Sequence, residues 1–148
     1  MEGPILSQRS HYALRAVLIL AAHGDRRPMC TAEIARAASI SPKFLEAILL
    51  ELRKSGILIS HRGRKGGFQL ARPARQISFA DVLRVTDGSL ALAPCVNEIA
   101  PAKCGDCFEE AFCEIRRALL TARDVTSNAL RSYDVASAVT RMRSAGTL

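Results

Sequence analysis

From Ser7 to about His23 the apolar residues Tyr12, Leu14, Val17, Leu18, Leu20 and Ala21 recur three and four positions apart, the spacing of a mostly buried helix. Gly24 and the charged triplet Asp25-Arg26-Arg27 end it. A second, short helix is predicted from Thr31, a good N-cap, to about Ala38, with Ile34 and Ala35 facing inward. After the break Ser39-Ile40-Ser41, the stretch SPKFLEAILLELRKSG predicts a third helix: Ser41 caps it, Pro42 suits its first turn, and Gly56 closes it after Arg53 and Lys54. Two helices across a tight break, the second well capped and cationic at both ends, make a helix-turn-helix.

The pattern then changes. ILISHRGRKGGFQLARP is a β-branched run, a turn with glycines and cations, and a second apolar run ended by Pro73, which together read as a β-hairpin with a basic tip. A helix-turn-helix followed at once by such a hairpin is the winged-helix arrangement, whose third helix enters the major groove while the wing reaches the neighbouring backbone or minor groove. SFADVLRVTDGSL adds a short helix with a capping-box-like start at Ser78 and Asp81, ended by Gly88. Further on, Phe108, Phe112, Ile115, Leu119, Ala122, Thr126, Ala129 and Tyr133 alternate four and three apart, the spacing of a coiled-coil seam on one long helix. Such a stripe wants a partner, either its own domain or a second copy; a second copy would match a two-fold-symmetric DNA site. The tail DVASAVTRMRSAGTL allows one turn of helix and is expected to fray.

The expected fold is therefore mainly α with a small β-hairpin. A winged helix-turn-helix DNA-binding domain spans 1–88, a cysteine-rich sensor loop 89–107, a dimerisation helix 108–133 and a C-terminal tail 134–148.

Charge sharpens this division. The net charge of +7 is carried entirely by residues 1–94, with 14 Lys and Arg against 7 Asp and Glu, whereas residues 95–148 balance at 7 and 7. A basic surface confined to one module is the footprint of a partner with a phosphate backbone. In that module Ser41, Lys43 and Glu46, at the start of the third helix, are the candidates for base-edge contacts. Arg62, Arg64 and Lys65 are the candidates for phosphate or the minor groove, and Gly63, Gly66 and Gly67 would let main-chain amides approach phosphates. The longest apolar runs, such as Ala13 to Ala22, contain Arg15 and fall short of a membrane span, so no membrane partner is expected. The opening MEGPILSQRS has no cationic leader or apolar core, and the chain is expected in the cytoplasm, where disulfides are disfavoured.

That expectation raises the matter of the cysteines. Four of the five fall in CVNEIAPAKCGDCFEEAFC: Cys95, Cys104, Cys107 and Cys113, spaced C-x8-C-x2-C-x5-C. The first three lie among Pro94, Pro101 and Gly105, and Cys113 is expected about a turn and a half into the long helix. Four thiolates would complete either a tetrahedral zinc site or an iron–sulfur cluster, and the spacing alone does not choose. A zinc ribbon usually shows two C-x2-C knuckles, and here there is one. A cluster-free thiol switch, in which Cys104 and Cys107 or another pair oxidise directly, is a second regulator reading. A small iron–sulfur or dithiol redox protein is a reading from another class, supported only by the C-x2-C pair; no catalytic His/Asp/Glu constellation accompanies it, and no enzyme is expected. Cys30, isolated before a helix cap, is expected to be an ordinary part of the packing.

The run LSQRSHYALRAV, TAEIARAASISPKFLEAILLELRKSGIL, RGRKGGFQLAR and ISFADVLRVTDG, followed by a cysteine cluster and a long helix, resembles the Rrf-type winged-helix transcriptional regulators, the IscR-, NsrR- and CymR-like family, over nearly the whole chain. The resemblance implies a homodimeric bacterial transcription factor, read here as a repressor, that binds a double-stranded operator. Its long helices would pair, with a 2Fe-2S or 4Fe-4S cluster beside the dimer interface. Cluster-bearing members usually keep five residues before their last cysteine. Cys107 and Cys113 keep that interval, and Cys95 stands in for the first cysteine across a longer gap that contains the additional Cys104. The family's fourth ligand is often not cysteine. The resemblance leaves either Cys104 or His11 of the other subunit's first helix for that place, with Cys104 preferred because it needs no partner.

Overall fold

A computed structural model describes residues 6–24, 26–105, 107 and 109–147; Asp25, placed in the charged triplet above, and Phe108, the first position of the seam, lie outside the described residues. The central element is α1, Gln8–His23, started by Ser7, whose hydroxyl accepts the Ser10 amide at 3.1 Å, and stopped by Gly24 at φ 75°. Its inward residues Ala13, Ala16 and Val17 are fully buried. Small residues in the middle of this helix let α2 (Thr31–Ala38), α3 (Pro42–Lys54) and, further along the chain, α4 (Phe79–Thr86) and α6 (Val135–Ser144) pack closely around it.

Helix α2 covers the range the sequence suggests, with its cap one residue earlier. Its N-cap is Cys30 and not Thr31, and the Cys30 amide donates to the Glu33 carboxylate at 2.9 Å in a capping box. Ser39, in the left-handed conformation, ends α2, and Ile40 drops into the core before α3 begins with Pro42 at its first position. Leu45, Ile48, Leu49 and Leu52 make the inward face of α3, which turns its remaining residues towards solvent. The hairpin follows as β1 (Leu58–His61) paired antiparallel with β2 (Gly67–Leu70), Leu58 opposite Leu70 and His61 opposite Gly67. Phe68 also exchanges both backbone hydrogen bonds with Met29, at 3.0 and 2.8 Å, so the wing is fastened to the residue just ahead of α2. Gly67 sits at φ 149°, and a Cβ there would run into the Met29 carbonyl, so glycine is what permits this seam.

Helix α4 has the capping box read from the sequence: Asp81 N donates to Ser78 Oγ at 3.1 Å, and Ser78 N to the Asp81 carboxylate at 2.9 Å. Its C-terminal end is pinned to the start of α1 by hydrogen bonds from Ser10 to Thr86 and from Ser7 to Asp87. The segment from Gly88 to Cys113 then runs with only two short 3₁₀ turns, Pro94–Val96 and Glu110–Phe112, among its described residues.

Two expectations are corrected beyond this point. The long helix α5 spans Glu114–Ser132, so Cys113 is its N-cap and not a residue inside it. The tail does not fray: α6 occupies Val135–Ser144, capped by Asp134, which accepts the Ser137 amide at 2.8 Å. Val135, Ala138 and Val139 are buried, and the Val135 amide donates to the Ile77 carbonyl at 2.9 Å. Small side chains that look in sequence too weak to hold a helix instead allow the close approach to α1 that holds it. Arg143 adds a hydrogen bond to the Ala22 carbonyl at 2.7 Å, and Arg141 stacks 5.2 Å above the Tyr133 ring. The architecture is mainly α with one β-hairpin, and among the described residues no helix is long and apolar enough to cross a membrane.

Candidate nucleic-acid interface and cysteine site

The inward face of α3 leaves an exposed face that begins at its N-cap. Ser41, Lys43 and Glu46 are all exposed, and no acidic residue stands in the first turn. Sequence reasoning missed Phe44 beside them, which is 69% exposed; the signal available was its place outside the Leu45, Ile48, Leu49, Leu52 face. On the wing, Arg62, Arg64 and Lys65 are exposed in the loop between the strands. The tightness of that loop comes from Gly63 at φ 104° and from Gly66, half-buried, whose amide donates to the Gly63 carbonyl at 2.9 Å and where a Cβ would strike the His61 carbonyl. Arg64, Lys65 and Gly66 line a cleft with Arg27, Cys30 and Glu33, so the wing tip and the start of α2 form one surface. Arg27 binds Glu33 at 2.6 Å, and this bond, with the Cys30 amide, holds the Glu33 carboxyl down at about 2. Cys30 is exposed on this surface and is not part of the packing.

The other four thiols lie elsewhere, in the segment that joins α4 to the head of α5. The 3₁₀ turn Pro94–Val96 buries Cys95 and Val96, and the Ala102 amide donates to the Pro94 carbonyl at 3.1 Å, folding the loop back on itself. Cys107 N donates to Cys104 O at 3.2 Å, closing the C-x2-C turn, and the Cys113 sulfur accepts the Arg116 amide at 3.4 Å at the head of α5. The thiols act on one another electrostatically. Cys104 next to Cys95, together with burial, pushes the Cys95 thiol up; burial, then Cys113 and Cys104 nearby, push Cys107 up. Arg116 stands on the first turn of α5, and its buried Nε has no hydrogen-bond partner. His11 lies exposed on α1, and among the described residues no three His, Cys, Asp or Glu side chains are gathered where a single ion could sit.

Arginines tie this loop to the helices beneath. Arg123 of α5 donates to the Val96 carbonyl at 2.8 Å, the residue next to Cys95. Arg84 of α4 donates to Ser127 of α5 at 3.1 Å and stands 3.9 Å from Glu98, which in turn accepts the Ser89 hydroxyl at 2.6 Å. Leu120, Arg123 and Ser127 make the covered side of α5, whereas Phe112, just ahead of it, and Ile115 and Tyr133 of the seam are 77%, 73% and 52% exposed. Among its described residues the seam is thus mostly exposed, with Leu119 and Ala122 half-buried.

A helix-turn-helix with an exposed, cationic third helix, joined to a glycine-tipped basic wing, defines a winged-helix transcriptional regulator, not an enzyme. The family model described as "Rrf2: Iron-dependent Transcriptional regulator" matches residues 6–141, and the chain belongs to that family. An rrf2-like HTH-type transcriptional regulator of Rhodobacter capsulatus is 40% identical over 116 residues, covering 76% of this chain and 77% of the relative. The HTH-type transcriptional regulator NsrR of Geobacillus kaustophilus is 34% identical over 131 residues, 88% of this chain and 86% of the relative. Among solved structures, CymR, the global cysteine regulator of B. subtilis, matches with a TM-score of 0.74 at 25% identity, covering 95% of this chain and 98% of CymR.

Proposed function

We propose that this regulator binds operator DNA as a homodimer in the bacterial cytoplasm, as a repressor, and that the state of the Cys95–Cys113 segment sets its affinity. The observation that carries this reading is the grouping of four thiols, Cys95, Cys104, Cys107 and Cys113, in the segment between α4 and the head of α5, which Arg123 and Arg84 tie to both helices. In this reading the group held is an iron–sulfur cluster and not a lone zinc ion. Four thiolates can complete either site, and the iron dependence in the family's description favours the cluster. Arg116, whose amide binds the Cys113 sulfur and whose buried Nε has no partner, adds a cation where such a group would bring negative charge. When bound, a cluster supplies a charge that changes with oxidation, ligand attack or loss. Within this reading Cys104, next to Cys95, is the fourth ligand, and His11 is a surface residue.

The chain's own residues carry the effect outward. Arg123 holds the backbone beside Cys95, and Arg84 joins the loop, α5 and α4, whose far end is hydrogen-bonded to the start of α1. A change in the loop alters how α4 and α5 sit. Because the exposed seam of α5 pairs with a second copy in this reading, it also alters the angle between the two recognition helices. A coupling of ~1–3 kcal/mol between loop state and DNA binding is enough for a usable switch.

The adjacency of Cys95 to Cys104 and of Cys107 to Cys113 favours a second reading, a thiol–disulfide switch without iron. Protein purified without air separates the two: visible absorbance with iron and sulfide in matching amounts supports the cluster, and its survival in Cys104→Ala would move the fourth ligand to His11. A colourless protein that takes up no cluster on reconstitution leaves the thiol switch or a zinc-stabilised regulator.

A further inference from the structure

Phe44 occupies an unusual place for a large apolar ring. It stands in the first turn of α3, 69% exposed, between Lys43 and the buried Leu45. One turn on, Ala47 is exposed as well, and the two line an open, mostly apolar cleft with Ile48 and with Gln8, Arg9 and Tyr12 of α1. An exposed apolar residue alone means little. Its surroundings give this one a partner: no acidic residue in the first turn of α3, Lys43 and Glu46 exposed beside it, and the wing cations in the same module. In the major groove the base edges present hydrogen-bond donors and acceptors, and the thymine 5-methyl is the one apolar group among them. A phenyl ring carried into that groove therefore has a single class of favourable contact.

We propose that Phe44, with Ala47 beside it, is a specificity-determining residue that recognises the 5-methyl group of a thymine in each operator half-site. The inference rests on the reading of α3 as the groove-entering helix. It adds to that reading an apolar contact that Lys43 and Glu46 cannot make.

The test uses the full-length protein as purified and a duplex selected by it from a random pool. Each thymine of that duplex is replaced in turn by deoxyuridine, which removes only the methyl. Wild-type binding should weaken about fourfold at one position per half-site, the effect of leaving one methyl-sized group unburied. Phe44→Ala should bind the thymine duplex more weakly and lose that sensitivity, while Phe44→Leu, still apolar, should keep part of it. Because the ring is exposed, both variants should retain the wild-type melting temperature and oligomeric state. Equal wild-type binding to every thymine and deoxyuridine duplex would overturn the proposal, as would unchanged sensitivity in Phe44→Ala. A Phe44→Ala variant that changes oligomeric state while keeping the sensitivity would assign the ring to a contact between copies instead. Lys43→Ala and Glu46→Ala separate the two levels: if they shift base preference and Phe44→Ala does not, only the thymine contact fails. If none of the three shifts it, the placement of α3 in the groove fails too.

Discussion

The DNA-reading half and the cysteine loop are held together in opposite ways. In the first, Ile34, Leu45, Leu49, Leu52, Ile57 and Leu58 are at most 2% exposed, and the wing is tied to the rest by paired backbone hydrogen bonds. In the second, from Gly88 to Cys113, Cys95 and Val96 are the apolar residues buried among those described, while Leu92, Ile99 and Phe112 stand in solvent. Its restraints are polar: the Arg123–Val96 and Ser89–Glu98 bonds and the turn around Asn97, whose side-chain oxygen accepts two backbone amides. The difference separates the jobs. Apolar packing fixes the shape of the proposed reading surface, and under the proposal a loop with little core is left to respond to what its thiols bind.

This contrast can be broken most forcefully in the core. Leu49→Ala should lower stability by about 2–5 kcal/mol through the cavity it leaves, measured by denaturant unfolding, whereas Cys113→Ala in metal-free protein should shift it by well under that. Comparable losses from both would mean the loop is part of the folding core. Next in size is the wing seam. Gly67→Ala has to move backbone away from Met29, at a cost of about 1–3 kcal/mol, and should weaken binding to all DNA sequences alike.

A third test addresses the link between the halves. Arg84→Ala should leave binding in one loop state close to wild type but reduce the difference between loop states by about 0.5–2 kcal/mol, read from DNA titrations of loaded and stripped protein. An undiminished difference would remove Arg84 from the connection. The gentlest test divides the reading surface itself. Arg62→Ala, Arg64→Ala and Lys65→Ala should each weaken binding across sequences and lower the salt slope by about 0.9 for every phosphate the protein no longer neutralises, while Lys43→Ala and Glu46→Ala should change which sequence is preferred. Equal losses on every sequence from both sets would contradict that division.

The same contrast explains what is legible in the sequence. The helix-turn-helix and hairpin are readable because their signals are local and redundant: apolar spacing, Pro42 at a first turn, Gly56 at an end and a glycine-rich turn between a β-branched run and an apolar one agree with one another. The capping box of α4 is readable for the same reason. The N-cap of α2 is easily misplaced because Cys30 seldom caps a helix and Thr31 often does; what decides it is the reach of Glu33 back to the Cys30 amide. The tail is misleading because its helix depends on a distant partner. Val135, Ala138 and Val139 are weak alone and become adequate only against α1. At the cysteines the spacing reveals a cluster of thiols, but not that Cys113 heads α5 or that Arg116, Arg123 and Arg84 gather around the loop. Those contacts join residues far apart in the chain, Arg84 and Ser127 for example, and no local pattern announces them. Phe44 escapes notice because its exposure follows from where the inward face of α3 ends.

The measurement that bears most directly on this division of roles is a titration of operator DNA with protein purified anaerobically, repeated after its iron has been removed by chelation and again after reconstitution. The expected result is a coloured starting protein and an operator affinity that changes about tenfold or more when iron leaves and returns when iron and sulfide are restored, as a coupling above about 1.4 kcal/mol requires. An operator affinity identical in all three states, with the protein folded throughout, would contradict it.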